Sequence, residues 1–150
     1  MVRRIYLAIL FIFFTSHSWG WSTEELYSRC KPYANNGFNL EQLSEKDQFA
    51  AVSCVSYFTG SKAVSFEICL NAQKLYRMSL ETTDIKSKRE LEVSSKLIGA
   101  LGSDMVDVSV NAVIRSFINY ADQNTQVWNV QPVTISYIAS SWPCDVTKTY

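Results

Sequence analysis

The chain has 150 residues with 14 basic and 14 acidic side chains, four cysteines and a single histidine, His17. Balanced charge argues against a nucleic-acid or anionic-membrane surface.

Arg3 and Arg4 precede a nearly unbroken apolar run from Ile5 to Phe14, and Ser18-Trp19-Gly20 offers small residues at a cleavage site. That layout predicts a secretory signal peptide over residues 1–20, the apolar run being too short to span a bilayer comfortably. Cleavage leaves residues 21–150 as a single helical domain with 12 basic and 14 acidic residues, a net charge of −2. A chain of this size buries roughly two-thirds of its unfolded surface around one core. Export to the periplasm is expected, with no membrane insertion after cleavage.

From Trp21 onward, Ser22 and Thr23 ahead of Glu24 and Glu25 mark a helix start. Leu26, Tyr27 and Cys30 form its inner face, and Lys31-Pro32 is expected to end it. Tyr33 to Asn39, centred on Asn35-Asn36-Gly37, reads as a loop. Ser44 with Asp47 marks the next cap, and Phe49, Val52, Ser53, Cys54, Tyr57 and Gly60 follow at helical spacing. Gly60 either ends that helix or permits tight packing. Residues 61–80 are again helix-compatible, with Phe66, Cys69, Leu70, Leu75 and Met78 expected to be buried.

Residues 82–96 alternate in sign through Asp84, Lys86, Lys88, Arg89, Glu90, Glu92 and Lys96. Such a run makes either a solvated helix face or a partner-facing surface. Val110, Val113, Ile114, Phe117, Ile118 and Ala121 paint one apolar stripe on a helix that Asp107 or Ser109 can cap. A second stripe, Ile135, Ile138, Ala139 and Trp142, follows Pro132, and the two helices are expected to pack as an antiparallel hairpin. Five or six helical segments and no period-two strands give an all-α class: a small disulfide-braced helical bundle.

Cys30, Cys54, Cys69 and Cys144 form an even set in an exported chain, with spacings that fit no zinc pattern, so disulfides are expected. Three connectivities are open. Antiparallel helices favour Cys30 with Cys54 and Cys69 with Cys144.

With His17 inside the signal peptide, the processed chain has no histidine for a nucleophilic triad, an imidazole metal site or acid–base work. Carboxylate-pair chemistry remains formally open through Glu24, Glu25, Glu41, Glu45, Asp104 or Asp107, but helix caps and first turns account for most of these. No enzymatic activity, cofactor or metal is expected. Trp128 and Tyr33, in expected loops, are either exposed anchors for a protein partner or aromatics folded onto the core.

The run Cys54-Val55-Ser56-Tyr57-Phe58-Thr59-Gly60 resembles the Cys-x-Gly-Tyr-x-x-Gly of the Rap/Tai family of type VI secretion immunity proteins, with Ser56 replacing a glycine. A cysteine in the first helix (Cys30), Cys69-Leu70-Asn71, a helix ending in Tyr120, a Trp128/Pro132 turn and Trp142-Pro143-Cys144 (similar to the family's Phe-Pro-Cys) extend the resemblance over most of residues 24–145. The segment 72–106 is longer than the family pattern, and the family's usual proline two places after the third cysteine is absent. The resemblance implies a small helical periplasmic protein, often a homodimer in the family, that binds and occludes a peptidoglycan-cleaving amidase effector. Its contact residues would then be sought at Lys86, Lys88, Arg89 and Glu90 and at Trp128. A periplasmic helical chaperone of the acid-stress type is the alternative.

Overall fold

The computed structural model describes residues 21–127 and 134–148. They form five α-helices: α1 (Thr23–Asn35), α2 (Glu45–Glu81), α3 (Ile85–Gly99), α4 (Val110–Gln123) and α5 (Thr134–Ser141), with a 3-10 turn at Thr125–Val127. No β-strand occurs among the described residues. The all-α expectation holds, and so does the disulfide bracing.

Helix starts follow the caps read from sequence. Ser22 and Glu25 close a reciprocal capping box, Ser44 accepts from the Asp47 amide, and Ser109 (not Asp107) accepts from the Ala112 amide. Each hydroxyl satisfies a backbone donor that the helix itself leaves unpaired.

Two helix ends differ from expectation. α1 runs through Pro32 to Asn35. A proline in the last turn forfeits one hydrogen bond but leaves the following turn intact, and the Asn36 amide bonds back to the Pro32 carbonyl at 3.1 Å. Tyr33 is therefore a helical core residue and not an exposed loop anchor. The chain then reverses at Gly37 and Phe38, both in the left-handed region (φ 65° and 63°). That conformation costs a side-chain-bearing residue about 1–2 kcal/mol. Phe38 is held there by its edge-on contact with Tyr33 (centroids 5.1 Å) and by the Arg115 guanidinium, 5.2 Å from its ring centre.

The second difference is larger. Residues 45–81 form one continuous helix of 37 residues, with Gly60 in its middle. At about 1.5 Å per residue this is a spine of roughly 55 Å. Its first half packs on α1, α4 and α5, and its second half is covered mainly by α3.

The core lies where α1, α4 and α5 meet the first half of α2. Leu26 and Cys30 from α1, Ala51 and Phe58 from α2, the stripe Val113, Ile114, Phe117, Ile118 and Ala121 of α4, and Ile138 of α5 are buried in one cluster with Met105. Phe58 tilts against Phe117 at 5.2 Å. The expected hairpin of the last two helices takes a different form. α5 lies closer to α2, and it meets α4 mainly through Tyr137, whose ring contacts Phe117 and Tyr120 and whose hydroxyl bonds Ser116. Pro132 and Trp128 lie outside the described residues.

The pairing Cys30–Cys54 ties α1 to α2, and Cys69–Cys144 ties α2 to the segment after α5. Cα separations of 5.3 and 5.5 Å are ordinary for such bridges. In the chain-entropy account, closing loops of this size stabilises the fold by about 3.5 and about 4.5 kcal/mol. The bridges also indicate an oxidising compartment outside the cytoplasm.

Beside the second bridge, residues 102–104 dock onto α2 and the closing Trp142-Pro143. The Ser103 amide bonds the Ser65 carbonyl (3.0 Å), its hydroxyl bonds the buried Ser65 hydroxyl (2.8 Å), and the Asp104 amide bonds the Trp142 carbonyl (3.1 Å). Gly102 lies so close to Cys69 that a Cβ there would stand 2.6 Å from its amide nitrogen.

Candidate partner-binding surface

The second half of α2 and the whole of α3 form a two-helix arm. α3 packs almost wholly on α2, and its base is touched by the tail after Cys144. The inner face of the arm is made from small side chains: Ala72 and Ser79 on α2, Ser95 and Gly99 on α3, all buried. Small residues let two helix backbones approach closely, so the arm seals itself without large apolar residues. Gln73, also buried, donates to the Asp145 carbonyl at 2.9 Å and fixes the tail across the base.

The turn at the arm's tip is defined by hydrogen bonds. The Thr82 hydroxyl closes α2 on the Met78 carbonyl (2.8 Å). Asp84 opens α3 by accepting from the Ser87 amide at 2.8 Å, and its contacts with Ser87 hold its carboxyl below the usual range.

Because the arm packs through small residues, large apolar side chains are left outside. Ile85 is 83% exposed and Leu97 67% exposed, with Val93 and Leu101 more than half exposed and Met78 and Leu80 also open to solvent. Met78, expected to be buried, sits where α3 offers no cover. Phe66, Leu70 and Leu75 are half-buried rather than core, and Cys69 is fully buried.

Lys86, Lys88, Arg89 and Glu90 all stand exposed on the first two turns of α3. Lys86, Arg89 and Glu90 share one surface with Ile85 and Val93, whereas Lys88 lies off it. None of the four takes part in an ion pair among the described residues. The structure therefore brings three of the candidate contact residues together beside apolar side chains. Trp128 lies outside the described residues. The apolar members Ile85, Val93 and Leu97 stand at multiples of four residues along α3, with Leu101 just past its end, a spacing that the charge run conceals in the sequence.

The acids set aside as catalytic candidates have structural employment in several cases. Glu25 completes the capping box of α1, Glu45 lies in the first turn of α2, and Asp104 pairs with Lys148 at 2.6 Å. Among the described residues no three histidine, cysteine or acidic side chains gather in a metal-holding arrangement.

An exposed apolar row flanked by free cations and an acid can desolvate against another protein and orient it by charge. Comparison with family models, with curated proteins and with solved structures finds no match for this chain.

Proposed function

We propose that this chain is a periplasmic immunity protein: it binds a peptidoglycan-degrading amidase effector of type VI secretion, occludes its active-site cleft, and so protects the producing cell. The reading rests on the resemblance to the Rap/Tai family. The observation that carries it furthest is the α2–α3 arm, whose exposed Ile85 and Val93 stand beside Lys86, Arg89 and Glu90, with exposed Leu97 four residues beyond Val93 on the same helix. A braced scaffold reduces the ordering cost of binding, which tight inhibition of a toxin requires. Two disulfides and the signal-like N-terminus support the periplasmic location.

The test is calorimetric titration of the processed protein into a cysteine-histidine amidase encoded beside it, coupled to an assay of peptidoglycan cleavage. Stoichiometric inhibition is expected. Val93→Asp with Leu97→Asp should weaken binding by at least about 2 kcal/mol, as for contact residues at the centre of an interface. A charge-reversal set at Lys86, Lys88 and Arg89 should slow association more than it speeds release. An amidase that keeps full activity beside excess protein would refute the reading. The chaperone alternative instead expects acid to expose apolar surface and suppress aggregation of unfolded clients, which light scattering at low pH detects.

A further inference from the structure

The outward row of α4 is built from residues that a solvated helix face does not favour. Asn111, Arg115 and Asn119 follow one another at intervals of four, and all three stand exposed. Asparagine is a weak helix former, and lysine, glutamate or glutamine serve better where water is the only neighbour. α4 nonetheless carries two asparagines in this row, on either side of its single cation. The three side chains border a groove of about 400 Å³ together with Phe38, and the small residues Ala112 and Ser116 leave room between them. No acidic residue borders the groove. Nor does Asn111, Arg115 or Asn119 have a side-chain hydrogen bond or ion pair among the described residues.

Phe38 supplies an independent sign. Its left-handed backbone (φ 63°) is costly for a residue that carries a side chain, and residues held in this way cluster at ligand clamps. The turn sets its ring 5.2 Å from the centre of the Arg115 guanidinium. A guanidinium stacked on a ring is fixed in place, while the donors along its edge remain available to a planar, two-oxygen acceptor.

We propose that this groove binds an acidic peptide in extended conformation. A glutamate or aspartate side chain of the peptide pairs with Arg115, and the peptide backbone on either side meets Asn111 and Asn119. Spacing supports the match: four residues of helix advance about 6 Å, and two residues of extended chain advance about 6.7 Å. Alternate residues of the peptide therefore meet successive members of the row. Each carboxamide offers both a donor and an acceptor, which is what a backbone amide group requires. Charge narrows the ligand further. One guanidinium balances one carboxylate, whereas a phosphate dianion would go half matched, because no other cation borders the groove. Carboxamides on both sides of Arg115 call for a chain that continues in both directions, so the acid lies within the peptide and not at its C-terminus. None of these residues belongs to the arm, and the site does not depend on the amidase reading.

The test is a nuclear magnetic resonance titration of the isotope-labelled processed protein with a blocked heptapeptide of alanine and serine carrying one central glutamate. Saturable shifts are expected in the side-chain amides of Asn111 and Asn119 and the Nε–H of Arg115, with a dissociation constant of about 0.1–1 mM. The same peptide with central glutamine should bind at least about tenfold more weakly. Arg115→Gln should cause a similar loss, and Arg115→Lys, which keeps the charge but not the fork, a loss of at least about threefold. Asn111→Ala and Asn119→Ala should each weaken binding about threefold. Arg29→Gln, which removes the guanidinium stacked 4.4 Å from the Trp21 ring, should leave affinity unchanged. Circular dichroism checks each fold, and should Arg115→Gln fail to fold, the lysine and asparagine variants decide. The proposal is overturned by any of four results: no saturable shift up to about 10 mM peptide, equal affinity for the glutamate and glutamine peptides, an equal loss in Arg29→Gln, or tighter binding of a peptide whose only acid is its free C-terminus.

Discussion

Gly102→Ala tests whether the contact at the foot of the arm is as close as described. The added methyl would stand 2.6 Å from the Cys69 amide nitrogen and 2.8 Å from its Cα, distances that side-chain carbons do not adopt. The obstacle is backbone in the middle of α2, pinned by the Cys69–Cys144 bridge, so it cannot swing aside. The segment bearing Gly102 must retreat instead, straining the Ser103 amide and hydroxyl bonds to Ser65. Overpacking of this kind costs about 2–3 kcal/mol. For a chain of this size that is a fall in Tm of about 10 °C. Urea unfolding followed by circular dichroism measures the loss. Two controls bracket it. Gly99→Ala would press on the Val146 side chain, which can rotate away, and should cost less than about 1.5 kcal/mol. Gly60→Ala meets open space and should stabilise by up to about 1 kcal/mol. A Gly102→Ala protein within about 0.5 kcal/mol of the parent would refute the packing argument.

Replacing both members of a cystine with serine should cost about 3.5 kcal/mol for Cys30 and Cys54 and about 4.5 kcal/mol for Cys69 and Cys144, read from guanidinium unfolding. The clasp between α1 and α4 should respond to pH at both extremes. Lys31 bonds Asp122 at 2.7 Å and the Tyr27 hydroxyl donates to the same carboxylate. The Lys31 bond, then that of Tyr27, holds the Asp122 carboxyl below its ordinary value. Its contribution is present above the unfolded carboxylate's pKa and lost as pH falls through the lower folded value. The Asp122 bond raises Lys31, so its share is full below the unfolded amine's pKa of 10.5 and lost as pH climbs through the higher folded value. In Asp122→Asn both losses should shrink in a plot of Tm against pH. Ser65→Ala and Ser103→Ala should each cost about 1–3 kcal/mol by stranding a buried hydroxyl, while the double variant should cost clearly less than their sum.

Several features are legible in the sequence because they follow from local rules. The caps at Ser22, Ser44 and Ser109 precede their helices as hydroxyl chemistry requires, and α4 declared its inner face because large apolar residues recur every three or four positions. The length of α2 was not legible. Gly60 resembles a stop signal, but nothing beside it in the sequence shows that both flanking segments pack well enough to carry one glycine. Met78, expected to be buried, is exposed for a related reason. Apolarity says what a side chain prefers, not whether another element arrives to cover it, and α2 has one face with no described helix over it. On the candidate surface, Lys86, Arg89 and Glu90 were visible as a charge run. Ile85, Val93 and Leu97 are exposed because alanine, serine and glycine seal the arm, a packing that apolarity alone does not reveal.

Both bridges end on the same helix, Cys54 and Cys69 being α2 residues, while their partners lie far apart in the chain. A protease that reached the arm through the Thr82–Asp84 turn would cut the backbone without parting the molecule. The two fragments would remain joined through Cys69 and Cys144. Such clipped protein would migrate as a single band until a thiol reductant released two pieces, so an apparently intact preparation can carry a severed arm.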